Sequence, residues 1–132
     1  MNTKKIASVL RLEDLCFEKI AFVRTGPKNR NSEEHQISVR IGENTEERVY
    51  RVVLSIQTIK KDEYNLEISL RGIFSFNQDV DDNMKRELIK GNAVAIMMPY
   101  VRSELTLLTS QPGVNPIVLP PFNVQAMLNN QK

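Results

Sequence analysis

The sequence has one cysteine and one histidine, and its longest unbroken apolar run, Ala93 to Met98, is six residues. A single Cys16 excludes an internal disulfide and a cysteine-based zinc site. It fits a reducing compartment. No stretch approaches the roughly 20 apolar residues of a membrane span, and the N-terminus MNTKKIASVLRLEDL lacks the apolar core of a signal peptide. The expectation is a cytoplasmic chain with no membrane insertion. Charge of one sign is also lacking: eighteen basic against sixteen acidic residues leave +2, with no basic cluster beyond Lys4-Lys5 and Lys60-Lys61. That gives no footprint for nucleic acid. Catalysis has as little support. Neither Cys16 nor His35 stands in a nucleophile, phosphate-cradling or metal-ligand spacing. Asp79, Asp81 and Asp82 lack the glycine and distal glutamate of a calcium loop and read as a helix cap or turn. No enzyme, metal or cofactor is expected.

What is present is 41% hydrophobic content over 132 residues, enough for one domain spanning residues 1–132 with a modest core. From Ile6 to Arg24 the apolar residues change parity twice. A long strand bulged at Glu13-Asp14 and Glu18-Lys19 would keep Leu10, Leu12, Leu15, Phe17, Ile20 and Phe22 on one face, because each extra residue flips the alternation. Thr25 to Glu34 is a polar loop with no ordering signal. Gln36 to Ile41 alternates, Gly42 to Glu47 turns, and Arg48 to Ile59 is a β-branched run. Lys60 to Glu63 makes a hairpin connection to Tyr64, Leu66, Ile68 and Leu70. Gly72 interrupts that strand before Ile73 to Phe76 closes it. The pattern predicts an antiparallel sheet with one apolar face.

Helices follow. The acidic turn caps Asn83 to Lys90, Gly91 marks a break, and a long helix runs from Asn92 to about Thr109 with Pro99 inside it. Ala93 to Met98 is apolar on every side, which demands cover on every side. Val94, Met97, Met98, Val101 and Leu105 are therefore assigned to an oligomer interface. Pro112-Gly113 ends the helix, prolines keep Val114 to Phe122 extended, and Asn123 caps a short helix with Val124, Met127 and Leu128 as its apolar stripe. The fold class is α+β: a four-stranded antiparallel sheet, a long helix on one face, a Pro-rich crossover and a short C-terminal helix.

Three segments, Gly72-Ile73-Phe74-Ser75, Pro99-Tyr100-Val101-Arg102 and Ile117-Val118-Leu119-Pro120-Pro121-Phe122-Asn123, resemble in order and spacing the SecB protein-export chaperones. Leu15-Cys16-Phe17-Glu18 and Val49-Tyr50-Arg51-Val52-Val53-Leu54 are similar to strands of that family, so the likeness covers nearly the whole chain. The resemblance implies a homo-oligomer, a dimer of dimers with long helices between paired sheets. It also implies an ATP-independent holdase that keeps unfolded or precursor polypeptides from folding and passes them to the SecA motor. The family's client groove matches Tyr64, Leu119, Pro120, Phe122, Val124 and Leu128 here, with Met127 as a further apolar contact. Its SecA-binding carboxylates match Asp14, Glu18 and Glu67, while an apolar position of that surface is Asn65. The chain is slightly basic where export members are acidic, which favours a second reading, a dedicated chaperone of one partner such as an antitoxin. A third reading is a structural or ligand-binding domain on the same fold.

Overall fold

The computed structural model describes residues 9–120. Strands β1 (Leu10–Arg24), β2 (Glu33–Asn44), β3 (Val49–Lys60) and β4 (Tyr64–Phe76) form one antiparallel sheet in the order β1-β4-β3-β2. β2, β3 and β4 follow one another through tight turns. Arg48 (φ 56°) and Asp62 (φ 61°) take the left-handed backbone that such turns require. β2 runs through Gly42, so that turn is confined to the residues just before Val49.

β1 carries the bulges its alternation demands. Its register against β4 shifts between Leu12 and Asp14 and again between Phe17 and Lys19, making Glu13 and Glu18 the extra residues. Leu12, Leu15, Phe17, Ile20 and Phe22 thereby stand opposite Phe74, Gly72, Leu70, Ile68 and Leu66 on one face. Both bulge carboxylates are held on the other face. Ser75 Oγ donates to Glu13 at 2.7 Å, and Arg51 bonds Glu18 at 3.0 Å.

The loop after β1 is better ordered than its composition suggests. Thr25 and Gly26 N–H donate to the Glu63 carbonyl, and a Cβ on Gly26 would run into the Asp62 carbonyl. Asn29 and Asn31 side chains both donate to the Lys61 carbonyl, at 2.9 and 2.8 Å. Beneath them Lys60 and Glu63 form a 2.8 Å ion pair with 4% and 0% side-chain exposure. The Asn29 N–H donates to Glu63 Oε1 and its carbonyl accepts from Lys60, so one loop residue bonds both buried charges, while Glu63 Oε2 has no partner among the described residues.

Helix α1 (Asp82–Glu87) starts at Asp81, whose side chain accepts the Met84 N–H at 2.8 Å, as a cap must. The expected break at Gly91 does not occur. Leu88–Ala93 wind as a π-helical turn that leads directly into α2 (Val94–Thr109). Leu88 and Ala93, and Ile89 and Val94, are five apart and all buried, a spacing that an i→i+5 turn brings onto one face. Gly91 sits inside that wide turn. α2 also continues through Pro99, which lies on its exposed side. No helix among the described residues is long and apolar enough to cross a membrane.

α2 lies across β3 and β4, and Val94, Met97, Met98, Val101 and Leu105 pack with Val52, Leu54, Ile56, Ile68, Leu70 and Phe74 into one core. Gly72 makes the close seating possible. A Cβ there would stand 2.9 Å from Met97 Sδ and 2.8 Å from a Phe74 ring carbon.

Candidate functional site

The crossover residues 111–120 form no regular element, yet side chains fix them to the helix. Arg102 donates from Nε and Nη2 to the Leu119 carbonyl, at 3.2 and 3.1 Å. Thr106 Oγ1 donates to the Ile117 carbonyl at 2.7 Å, and Thr109 Oγ1 accepts the Ile117 N–H at 2.9 Å. Upstream, Gly113 takes a φ of 83° and its carbonyl accepts from Arg24 at 2.9 Å. Proline at 116 and 120 suits such a strap, since it offers no N–H that would need a partner. Extended geometry then alternates the side chains. Ile117 and Leu119 are buried, whereas Val118 is 76% exposed and Pro120 is exposed.

Between strap and helix lies a cavity of about 470 Å³, with Pro99, Leu107, Val118 and Leu119 as its apolar walls and Arg102 and Thr106 among its polar ones. Leu107 is 68% exposed. A larger cavity of about 510 Å³ sits at the opposite end of the sheet, around Tyr50, Phe76, Arg48 and Lys85. There the rings pack edge to face and the Tyr50 hydroxyl bonds Glu43 at 3.2 Å.

The sequence-expected residues fall into distinct places. Leu119 anchors the strap in the core, and Pro120 lies on its outer side. Tyr64 is 1% exposed and stacks on Phe22 at 4.9 Å, so it belongs to the core and presents no open surface. Its hydroxyl has no hydrogen-bond partner among the described residues, and burial pushes the phenol up to about 12, with Glu33 and Glu63 adding to the shift. Phe122, Val124, Met127 and Leu128 lie outside the described residues.

Val94, Met97, Met98, Val101 and Leu105, expected between subunits, all face the chain's own sheet at 4% exposure or less. They are core, with no surface left for a partner. The α2 side left open carries Ile96 (37%), Tyr100 (48%) and Leu107, spaced by four and seven residues and so close to one line down the helix. Six consecutive apolar residues hid this division, because the run alone does not say which of them the sheet takes. Arg102 and Thr106, the residues that hold the strap, were likewise not assigned to the site from sequence. Their signal, an arginine and a threonine four apart on the helix before a proline-rich segment, is common and points nowhere by itself.

Asp14, Glu18 and Glu67 do share the outer face of the sheet. Each carries a basic partner there: Arg71 on Asp14 at 3.0 Å, Arg51 and Arg71 on Glu18 at 3.0 and 3.8 Å, and Lys19 on Glu67 at 2.9 Å. These pairs are half-open to solvent and contribute little to stability individually. They do cancel the local negative charge.

A family model described as preprotein translocase subunit SecB matches residues 4–132. The chain belongs to the SecB family. The fold agrees. The SecB-like chaperone Rv1957 of Mycobacterium tuberculosis, in complex with a peptide from the HigA1 antitoxin, superposes with a TM-score of 0.72. The overlap covers 90% of this SecB-family chain and 95% of that one, at 10% sequence identity. An uncharacterised protein of Methanocaldococcus jannaschii is 34% identical over 65 residues, which is 49% of this chain but only 41% of that protein.

Proposed function

We propose that this SecB-family chain is an ATP-independent holdase that keeps an extended, non-native polypeptide on the outer side of its crossover. The observation that carries the reading is the clamped strap: a backbone fixed by Arg102, Thr106 and Thr109 that turns Val118 and Pro120 outward beside the exposed Leu107. Phe122, Val124, Met127 and Leu128, which follow in the sequence, are the further apolar residues assigned to the client. Binding the unfolded state lowers its free concentration and so slows both folding and aggregation by mass action. The affinity comes from apolar area at about 25 cal/mol per Å², spread over a long client segment. The working form is a homo-oligomer, a dimer of dimers, joined through the Ile96 and Tyr100 side of α2, which leaves Leu107 to the client.

The test is Phe122→Asp, measured by light scattering of an aggregating client with the oligomer's mass followed on the same sample. Protection is expected to weaken while the mass stays unchanged. Protection at wild-type potency would remove the groove.

A dedicated chaperone of one polypeptide partner is the second reading. It is supported by the ion pairs on Asp14, Glu18 and Glu67, which neutralise the acidic surface that SecA delivery would use. The solved relative with an antitoxin peptide points the same way. Affinity capture from its own cells separates the two: many precursors for an export chaperone, one stoichiometric partner for a dedicated one. Failure to protect any unfolded client would favour a non-chaperone domain instead.

A further inference from the structure

Among the described residues, Arg102 is the one charged residue lining the cavity between α2 and the strap, and none that lines it is acidic. The guanidinium is half-buried and spends two of its five N–H groups on a neutral acceptor, the Leu119 carbonyl. No carboxylate pairs with it among the described residues, although Arg51, Arg71, Lys19 and Lys60 all have one. The other half-buried cation without an ion pair among the described residues, Lys85, shares its cavity with Glu43 and Asp79, whereas the described lining of Arg102's cavity has no carboxylate. Around it the walls are apolar, from Pro99, Leu107 and Val118. A neutral carbonyl satisfies N–H groups; an anion would bind the remaining ones through shorter and stronger bonds.

We propose that this cavity receives an apolar stretch of polypeptide carrying a carboxylate, an Asp or Glu side chain or a chain terminus, and that Arg102 reads it. The proposal rests on the holdase reading above and gives that site its chemical preference. Arg102 then has two roles: two N–H groups hold the strap in place, and the remaining ones face the bound chain. Thr106 shares only the first role, through its bond to the Ile117 carbonyl. The two can therefore be separated by substitution.

The experiment uses three labelled synthetic peptides, one apolar sequence with Asp, Asn or Lys at its centre, titrated by fluorescence anisotropy at low and moderate salt. On the wild-type protein the Asp peptide is expected to bind about tenfold tighter than the Asn peptide, with the Lys peptide weakest and the spread narrowing as salt rises. In Arg102→Gln the Asp-to-Asn ratio is expected to fall to about one while the Asn peptide still binds. Arg102→Lys should keep part of the ratio, since it retains charge but not the fork. Thr106→Val should weaken all three peptides alike and leave the ratio intact. Equal binding of the three peptides to the wild type, or a ratio that survives Arg102→Gln, overturns the proposal and leaves the holdase reading standing. So does peptide binding seen only at dilutions that separate copies of the chain, because a second copy then fills the cavity. Binding of none of the peptides overturns both.

Discussion

Gly72→Ala tests the seating of α2 on the sheet through a single methyl group. Gly72 is buried on β4, between Leu15 on β1 and Val52 on β3, and its missing Cβ leaves room for Met97. The new carbon would stand 2.9 Å from Met97 Sδ and 2.8 Å from a Phe74 ring carbon, well inside contact distance. Two effects oppose one another. Replacing glycine stiffens the unfolded chain and stabilises by about 0.4–1 kcal/mol. Forcing a methyl into a packed core costs about 1–3 kcal/mol. Met97 is flexible and can yield, but it is fully buried, so the space it moves into must come from other core residues. The net expectation is a loss of about 1–2 kcal/mol. The decisive measurement is a double-mutant cycle by urea denaturation at fixed protein concentration. Met97→Ala alone should cost about 2–5 kcal/mol through the cavity it leaves. In that background Gly72→Ala should be neutral or stabilising, since the methyl fills vacated space and Phe74 gains room to turn. The coupling should be at least about 1 kcal/mol. An equal cost of Gly72→Ala in both backgrounds would refute the account of why glycine stands there.

Glu63→Gln should destabilise the chain and release the loop at Asn29, read as faster amide exchange at Thr25, Gly26 and Asn29. The hydrogen bond from Lys60 and the Asn29 N–H hold the Glu63 carboxyl below its ordinary value. Its contribution is therefore present above that value and lost as pH falls, so the variant should flatten the acid limb of the stability profile. Tyr64 has the opposite sign: with its phenol pushed up to about 12, stability is complete below its unfolded value of 10.0 and declines as pH rises toward 12. Tyr64→Phe keeps the stack on Phe22, removes a hydroxyl without a described partner, and should be neutral or slightly stabilising at neutral pH with a flatter alkaline limb. Asp81→Ala removes the cap on Met84 and should cost about 1 kcal/mol, whereas Asp81→Ser should restore most of it.

The strands were legible because parity is a local signal. Two charged pairs, Glu13-Asp14 and Glu18-Lys19, sit where the alternation of β1 fails, and the structure puts its extra residues there. The order of the loop after β1 was not legible, since its partners Lys60, Lys61 and Glu63 lie about thirty residues away and ion pairing leaves no periodic trace. Gly91 misled for a related reason. A glycine inside an apolar helical pattern usually marks an end, and only the burial of Leu88, Ile89, Ala93 and Val94 together shows that the turn widens instead. Of the candidate site, the extended crossover could be read from its prolines. Which of its residues anchor and which face outward depends on bonds from Arg102, Thr106 and Thr109, a tertiary fact.

The sheet order has a kinetic consequence. β2, β3 and β4 close through short turns, but β1 joins β4 only by closing long loops, with Arg24 meeting Tyr64 and Leu10 meeting Phe76. Loop-closure entropy delays such contacts until local ones are in place. β1 is therefore the strand expected to dock last, and the pairs that Arg71 and Lys19 make across β1 and β4 tell its bulged register from a slipped one. Pulse-labelled amide exchange should protect β3 and β4 before β1, and simultaneous protection would remove this ordering. Until β1 arrives, the apolar face of β4 and its unpaired edge stand open. The proposed holdase would thus pass through such an unfinished state itself.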